Sequence, residues 1–269
     1  MPEAGKAEFG LRVLSAAVLA IVVVADVIVG GWSFTVLVGL VTILVAAEWG
    51  NLLARRYANP ALRVAAAVPP AATAIVAMLL TKLIDPGYGL LVIAVVALAV
   101  AGIARRAGWP VRWTSLGVVY IALAPTLLVW MRNASPEGLV FVLFLFAAVW
   151  AADSFAYLVG RSLRGPKLAP VWSPNKTWSG FVGGSVAAGV AGGLVAFGFA
   201  LPFVGGAVVL GVVIGVVAQV GDLFVSRFKR LAGMKDTGTL IPGHGGALDR
   251  LDGLMYATPA FAGFVALHP

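Results

Sequence analysis

The 269-residue chain has no cysteine, only 2 histidines and little charge: 11% of its residues are Asp, Glu, Lys or Arg, against 61% hydrophobic. The missing thiols exclude disulfides, thiolate zinc and a cysteine nucleophile, so any bound metal must sit on oxygen or imidazole. The scarcity of charge excludes an ordinary water-soluble domain, in which about a quarter of residues are charged. A soluble linker and a fixed-period repeat are also lacking.

What is present is a series of apolar runs of about 17 to 22 residues, the length that carries a helix across a hydrocarbon core of about 30 Å. Hydropathy places them near Leu11 to Val29, Trp32 to Ala47, Val64 to Leu83, Tyr88 to Ala104, Ser115 to Met131, Leu139 to Val159, Phe181 to Ala200, Phe203 to Val225 and Leu251 to Leu267. The expected fold is all-α, a polytopic transmembrane bundle of about nine spans with functional cytoplasmic loops. It forms a single integral membrane domain over residues 1–269, in which 1–150 supplies helices without a legible specific role and 151–255 carries the chemistry. The first run follows Lys6 and Arg12 and is read as a retained anchor, because eight more runs follow it.

The net charge of +8 would suggest a nucleic-acid partner in a soluble protein. Here nearly all of the 19 Lys and Arg fall in alternate loops, leaving only Lys82 and Arg132 opposite. That is the positive-inside pattern, so the charge is a topology signal and nucleic acid is excluded as a partner. It places the N-terminus in the cytoplasm of a cell with the chain in its inner membrane, and the C-terminal His268-Pro269 outside.

Polar residues concentrate in two loops on the basic face. In the second, Pro242, Gly243, Gly245 and Gly246 oppose continuous helix and leave backbone N–H groups free to approach an anion. Asp249 and Asp252, three apart at the start of the last span, share a helix face and can converge on a cation. Asp222, near the end of the preceding apolar run, is a third acid that needs a partner. The set matches the oxygen preference of Mg²⁺; the competing reading pairs Asp222 with Arg227 or Arg230, and Asp249 with Arg250. In the first loop Lys176 and the hydroxyls of Ser173 and Thr177 suit phosphate oxygens, although Lys176 could equally be a topology residue and Trp178 a headgroup anchor. Asp153 and Tyr157, four apart, share a face of the sixth span that could point into a site or form an interhelical pair. Gly160 to Lys167 is not a P-loop, since Pro166 precedes the Lys and no hydroxyl follows it. His244 reads as a structural or phosphate-contacting residue, Glu48 as an interfacial one, and Asp26 has no legible role.

These residues resemble the phosphatidate cytidylyltransferases, or CDP-diglyceride synthases. The resemblance rests on Ser226, Lys229, Arg230, Lys235, Asp236, Pro242, His244, Gly245, Gly246, Asp249, Arg250 and Asp252, preceded by Asp153 with Tyr157, Gly160-Arg161, Ser173-Pro174, Lys176-Thr177 and Gly221-Asp222-Leu223. It covers roughly residues 153–253. Two positions depart from the family pattern: Ser179 stands where Glu is usual, and Ala247 where a larger aliphatic residue is usual. The resemblance implies transfer of a cytidylyl group from CTP to phosphatidic acid, with Mg²⁺ as cofactor and the lipid bilayer as setting. It implies Asp222, Asp249 and Asp252 as metal ligands, and Lys176, Lys229, Arg230, Lys235, Asp236, His244 and Arg250 as catalytic groups. Asp153, Tyr157, Ser173, Thr177, Ser226, Gly245 and Gly246 would then contact substrate. The family also admits a homodimer, for which no interface is legible. Rival readings are a CTP-dependent transferase acting on another lipid phosphate or a polyprenol, and an anion transporter. The transporter reading fits poorly with ionisable groups gathered at one membrane boundary.

Overall fold

The computed structural model describes residues 18–238 and 245–267. Its helices are α1 (Val18–Val29), α2 (Gly31–Arg56), a single turn α3 (Leu62–Ala65), α4 (Val68–Leu83), α5 (Pro86–Arg106), α6 (Val111–Ala134), α7 (Gly138–Leu163), α8 (Trp178–Gly198), α9 (Val204–Leu231) and α10 (Leu248–Leu267). Local chemistry sets their ends. Gly30, at a φ of 66° that favours glycine, separates α1 from α2. Asp85 caps α5 by accepting a hydrogen bond from the Gly87 N–H at 2.7 Å, with Pro86 in the first turn.

Among the described residues, seven segments, namely α2, α3 joined to α4, and α5 through α9, are long and apolar enough to cross a bilayer. The chain is therefore a multi-pass helical membrane protein, as its hydropathy predicts. Helices α1 and α10 stand where the first and ninth spans are expected. Over the described residues α1 is a shorter apolar helix, and α10 opens with Asp249, Arg250 and Asp252, so nine crossings stay an expectation. One element departs from the all-helical reading. The loop between α7 and α8 forms an antiparallel hairpin of β1 (Lys167–Ala169) and β2 (Ser173–Thr177), with Lys167 opposite Thr177 and Ala169 opposite Ser173.

Small residues bring α7, α8 and α9 into backbone contact. A Cβ added at Gly184 would lie 2.6 Å from the Ala152 carbonyl oxygen, and one at Gly211 would lie 2.5 Å from that of Ala188. Such approaches are the usual means by which helices associate in lipid, where hydrophobic burial offers little drive. The other half of the core is aromatic. Trp49 of α2 stacks on Phe228 of α9 at 5.0 Å between ring centroids, and Trp113 of α6 meets the same ring edge-on at 4.4 Å. Leu248, the first residue of α10, is fully buried in this cluster. The cluster therefore fixes the ends of α2, α6, α9 and α10 relative to one another.

Helices α2, α5 and α9 each finish in a basic pair, Arg55-Arg56, Arg105-Arg106 and Lys229-Arg230. With successive spans running antiparallel, these pairs share one end of the bundle with the hairpin and the connection from α9 to α10.

Candidate active site

At this basic end α7, the hairpin, α8, α9 and α10 enclose a cavity of about 780 Å³. A second cavity, of about 110 Å³ between α1, α2, α6 and α10, is lined almost wholly by hydrocarbon and carries no charged group. The larger one combines both signs of charge. Asp153 from α7, Asp222 from α9, and Asp249 and Asp252 from α10 line it together with Arg161, Arg164, Lys167, Lys176 and Arg250.

Asp222 forms an ion pair with Lys176, the hairpin residue that β2 carries into the cavity. Its other oxygen accepts a hydrogen bond from Ser226 one turn later, at 3.2 Å. Beyond its ion pair, the Lys176 ammonium is shielded and finds no hydrogen-bond acceptor among the described residues. Asp252 is buried and accepts from the Gly253 N–H at 2.7 Å. Asp153, Asp222 and Asp252 stand close enough to repel one another, with Lys176, Lys229 and Arg250 as the nearby positive charges.

Asp249 is held differently. Its Oδ1 accepts from Lys229 Nζ at 2.6 Å, and its Oδ2 accepts from the backbone N–H groups of Thr237 at 2.8 Å and Gly246 at 3.0 Å. Burial alone would raise this carboxyl's pKa. The hydrogen bond and charge of Lys229, with the two N–H donors, outweigh burial and hold it below its ordinary value of 3.8. Both oxygens are thus engaged, Oδ1 by α9 and Oδ2 by the loop that the acid was expected to follow.

The same loop corrects a second expectation. The N–H groups of Gly246, Ala247 and Leu248 are not left open for phosphate. Gly246 donates to Asp249, while Ala247 and Leu248 donate to Glu48 of α2 at 2.8 and 2.9 Å. The cause is mutual need: the first turn of α10 has N–H groups without intrahelical acceptors, and a buried carboxylate must be supplied with donors. Glu48, read from the sequence as interfacial, is 7% exposed and also accepts from the Thr237 hydroxyl at 2.6 Å. Gly246 cannot carry a side chain there, because its Cβ would meet the Glu48 carboxylate and Thr237 Oγ1. Ala247, where the family usually has a larger aliphatic residue, is buried with its N–H on the same acid.

Other expected residues take supporting places. Tyr157 lines the cavity and accepts a hydrogen bond from Arg161 at 2.6 Å. Thr177 also lines it, but its hydroxyl caps α8 by accepting from the Gly180 N–H at 3.1 Å. Ser173 pairs in the hairpin and does not line the cavity. Arg230 lies outside it too, and donates to the Trp172 carbonyl at 3.2 Å, while Arg227 lies 5.0 Å over the Trp172 ring. Lys235 and Asp236 are exposed and away from the lining, and Gly245 sits beside Asp249 with a φ of 79°. Pro242, Gly243 and His244 lie outside the described residues. Ser179, where the family usually has Glu, donates to the Arg164 carbonyl and shares a hydrogen bond with Thr177 at 3.0 Å. It thereby supports Arg164, whose φ of 56° is unusual for a residue with a side chain.

Sequence reasoning passed over Arg164, Lys167, Asn175 and Gln219 as lining residues, and Glu48 as a partner of the loop. Gln219 braces α9 to α8 by donating to the Phe181 carbonyl at 3.1 Å and Ser185 Oγ at 3.0 Å. For Gln219 and Glu48 the available signal was a polar side chain inside an apolar run, which is costly unless partnered.

Among the described residues no three His, Asp or Glu side chains converge closely enough to hold one metal ion. The donors present are nevertheless of the right kind. Two carboxylates lining one charged cavity are donors of the kind Mg²⁺ takes, since it commonly binds one or two protein carboxylates, waters and substrate phosphates. Asp222 and Asp252 offer that pair; Asp249, with both oxygens taken, does not join it in the arrangement described.

The sequence matches the Cytidylyltransferase family over residues 10–268. A phosphatidate cytidylyltransferase of Brucella abortus is 47% identical over 145 residues, which is 54% of this chain and 54% of that protein. One from Rickettsia typhi is 34% identical over 160 residues, 57% of this chain and 70% of its relative, and one from Rickettsia bellii is 35% identical over 151 residues, covering 54% and 65%. The chain thus matches about half the length of the Brucella relative. With the family match spanning every described residue, the chain belongs to the cytidylyltransferase family.

Proposed function

We propose that this protein transfers the cytidylyl group of CTP to phosphatidic acid, releasing pyrophosphate and leaving CDP-diacylglycerol in the bilayer. One observation carries the reading: a single cavity at a membrane boundary lined by carboxylates and five cationic side chains, large enough for a nucleotide and a lipid headgroup. The names of the relatives agree with it. A soluble nucleotide and a lipid that cannot leave the membrane must meet at such a boundary.

In this reaction an oxygen of the lipid phosphate attacks the α-phosphorus of CTP. The bond from that phosphorus to the bridging oxygen breaks, and pyrophosphate departs with the electron pair. The attacking phosphate monoester is already anionic at neutral pH, so no general base is required. The chain's task is electrostatic. Each pair of unit charges at 4 Å repels by about 4 kcal/mol at an effective dielectric near 20, and the two reactants make several such pairs. Lys176, held in position by Asp222, would set its positive charge beside a phosphate oxygen. Arg161, Arg164 and Lys167 form a basic rim on the hairpin side, and Arg250 faces them from α10. A Mg²⁺ ion held by Asp222 and Asp252 together with substrate phosphates would supply further charge neutralisation at the transferring and leaving oxygens. Asp249 keeps the loop and Lys229 in register. We place the site on the cytoplasmic face of the cell membrane, following the positive-inside pattern.

The test is pyrophosphate release by the purified full chain. It should require CTP, phosphatidic acid and Mg²⁺ together. Release that proceeds without phosphatidic acid, or only with another lipid phosphate or a lipid alcohol, would overturn the substrate assignment.

A further inference from the structure

Glu48 lies about 200 residues before the loop it supports, a separation of 189 to Thr237 and 200 to Leu248. Its two oxygens take three donors, one before the connection that leads to α10 and two at the start of that helix. Thr237 is in turn gripped from both sides, its hydroxyl by Glu48 and its N–H by Asp249. The first turn of α10, whose N–H groups Glu48 caps, presents Arg250 and Asp252 to the cavity.

We infer that Glu48 is a positioning residue for the transfer reaction: one α2 carboxylate clamps both stems of the loop from α9 to α10 and so sets where Asp249, Arg250 and Asp252 stand opposite Asp222. The inference rests on the function proposed above and deepens it. A negative charge at a helix N-terminus, accepting two of its N–H groups, fixes both the axial position and the rotation of that first turn. The chain on both sides of the loop approaches this carboxylate closely. A Cβ at Gly246 or at Gly238 would run into the Glu48 carboxylate, so both loop stems close directly on it. Trp49, the next residue, is stacked on Phe228, which holds the clamp against α9 and hence against Asp222. Misplacement of a reacting group by about 1 Å can cost about 100-fold in rate, so weakening the clamp acts on turnover before it acts on binding.

The test compares the full-length wild type with Glu48→Gln, and with Glu48→Asp as a variant that keeps the charge. For Glu48→Gln, amide hydrogen exchange across residues 246–249 should rise at least about tenfold while exchange in α5 stays unchanged. Turnover with CTP and phosphatidic acid should fall at least about tenfold, with KM for both substrates within about threefold of wild type, and Glu48→Asp should recover part of the loss. Unchanged exchange at 246–249 overturns the clamp whether or not the protein turns over CTP. Wild-type turnover in Glu48→Gln, or a loss explained entirely by a lower global unfolding temperature with exchange raised throughout, overturns the positioning role. Absence of CTP-dependent turnover in the wild type would instead count against the function proposed above, leaving the exchange measurement to decide the clamp.

Discussion

Asp249 and Asp252 lie three residues apart on α10, yet their surroundings give them different work. Asp249 receives Lys229 and two backbone N–H groups and serves the loop, whereas Asp252 shares the cavity with Asp222 and Asp153, whose charges repel it. The helical spacing of these acids was legible in the sequence; the backbone donors that reach Asp249 were not, because they come from Thr237 and Gly246 on a chain path without helical periodicity. A prediction separates the two roles. Asp252→Asn preserves the shape and the bond from Gly253 while removing a charge among like charges, so the melting temperature in detergent should be no lower than that of wild type. Turnover should nevertheless fall about 100-fold or more, as when a residue stabilising developing charge is removed. Lower stability with retained turnover would mean that Asp252 is a structural acid.

At the scale of elements, the hairpin is the part that hydropathy could not show. Residues 160–180 are visibly polar, but pairing of Lys167 with Thr177 depends on contacts that only the folded chain makes. The hairpin turns Lys176 toward Asp222, and its tip is tied to α9 through Arg230 and Arg227 on Trp172. The family resemblance implies that Arg230 neutralises phosphate; here it lies outside the cavity and ties the hairpin to α9. An exposed bond of this kind contributes about 0.5–1.5 kcal/mol. Arg230→Ala should accordingly cost less than about tenfold in kcat/KM, and Trp172→Ala should not add its full effect to it. Lys176→Met, which removes a cavity cation, should cost far more. Equal, severe losses for Arg230→Ala and Lys176→Met in steady-state kinetics would restore Arg230 to the phosphate site.

Across the whole molecule the membrane bundle was readable from apolar run length, and seven long apolar helices bear it out. The grouping of acids was also readable, since Asp153, Asp222, Asp249 and Asp252 all reach one cavity. What escaped was the contribution of residues 1–150. Glu48 looks like an ordinary charge at a span end until α2 is seen to pack beside α10, and that adjacency is a property of tertiary packing. One N-terminal helix, α2, thus braces the approach to α10 as well as building the bundle. The central claim, that this cavity joins the α-phosphate of CTP to a lipid phosphate, is tested most directly by following the label from CTP marked at either its α- or its γ-phosphorus, with phosphatidic acid and Mg²⁺ present. The account predicts that α-label enters a lipid product and γ-label leaves as pyrophosphate. Appearance of γ-label in lipid, or of neither label in lipid, would contradict it.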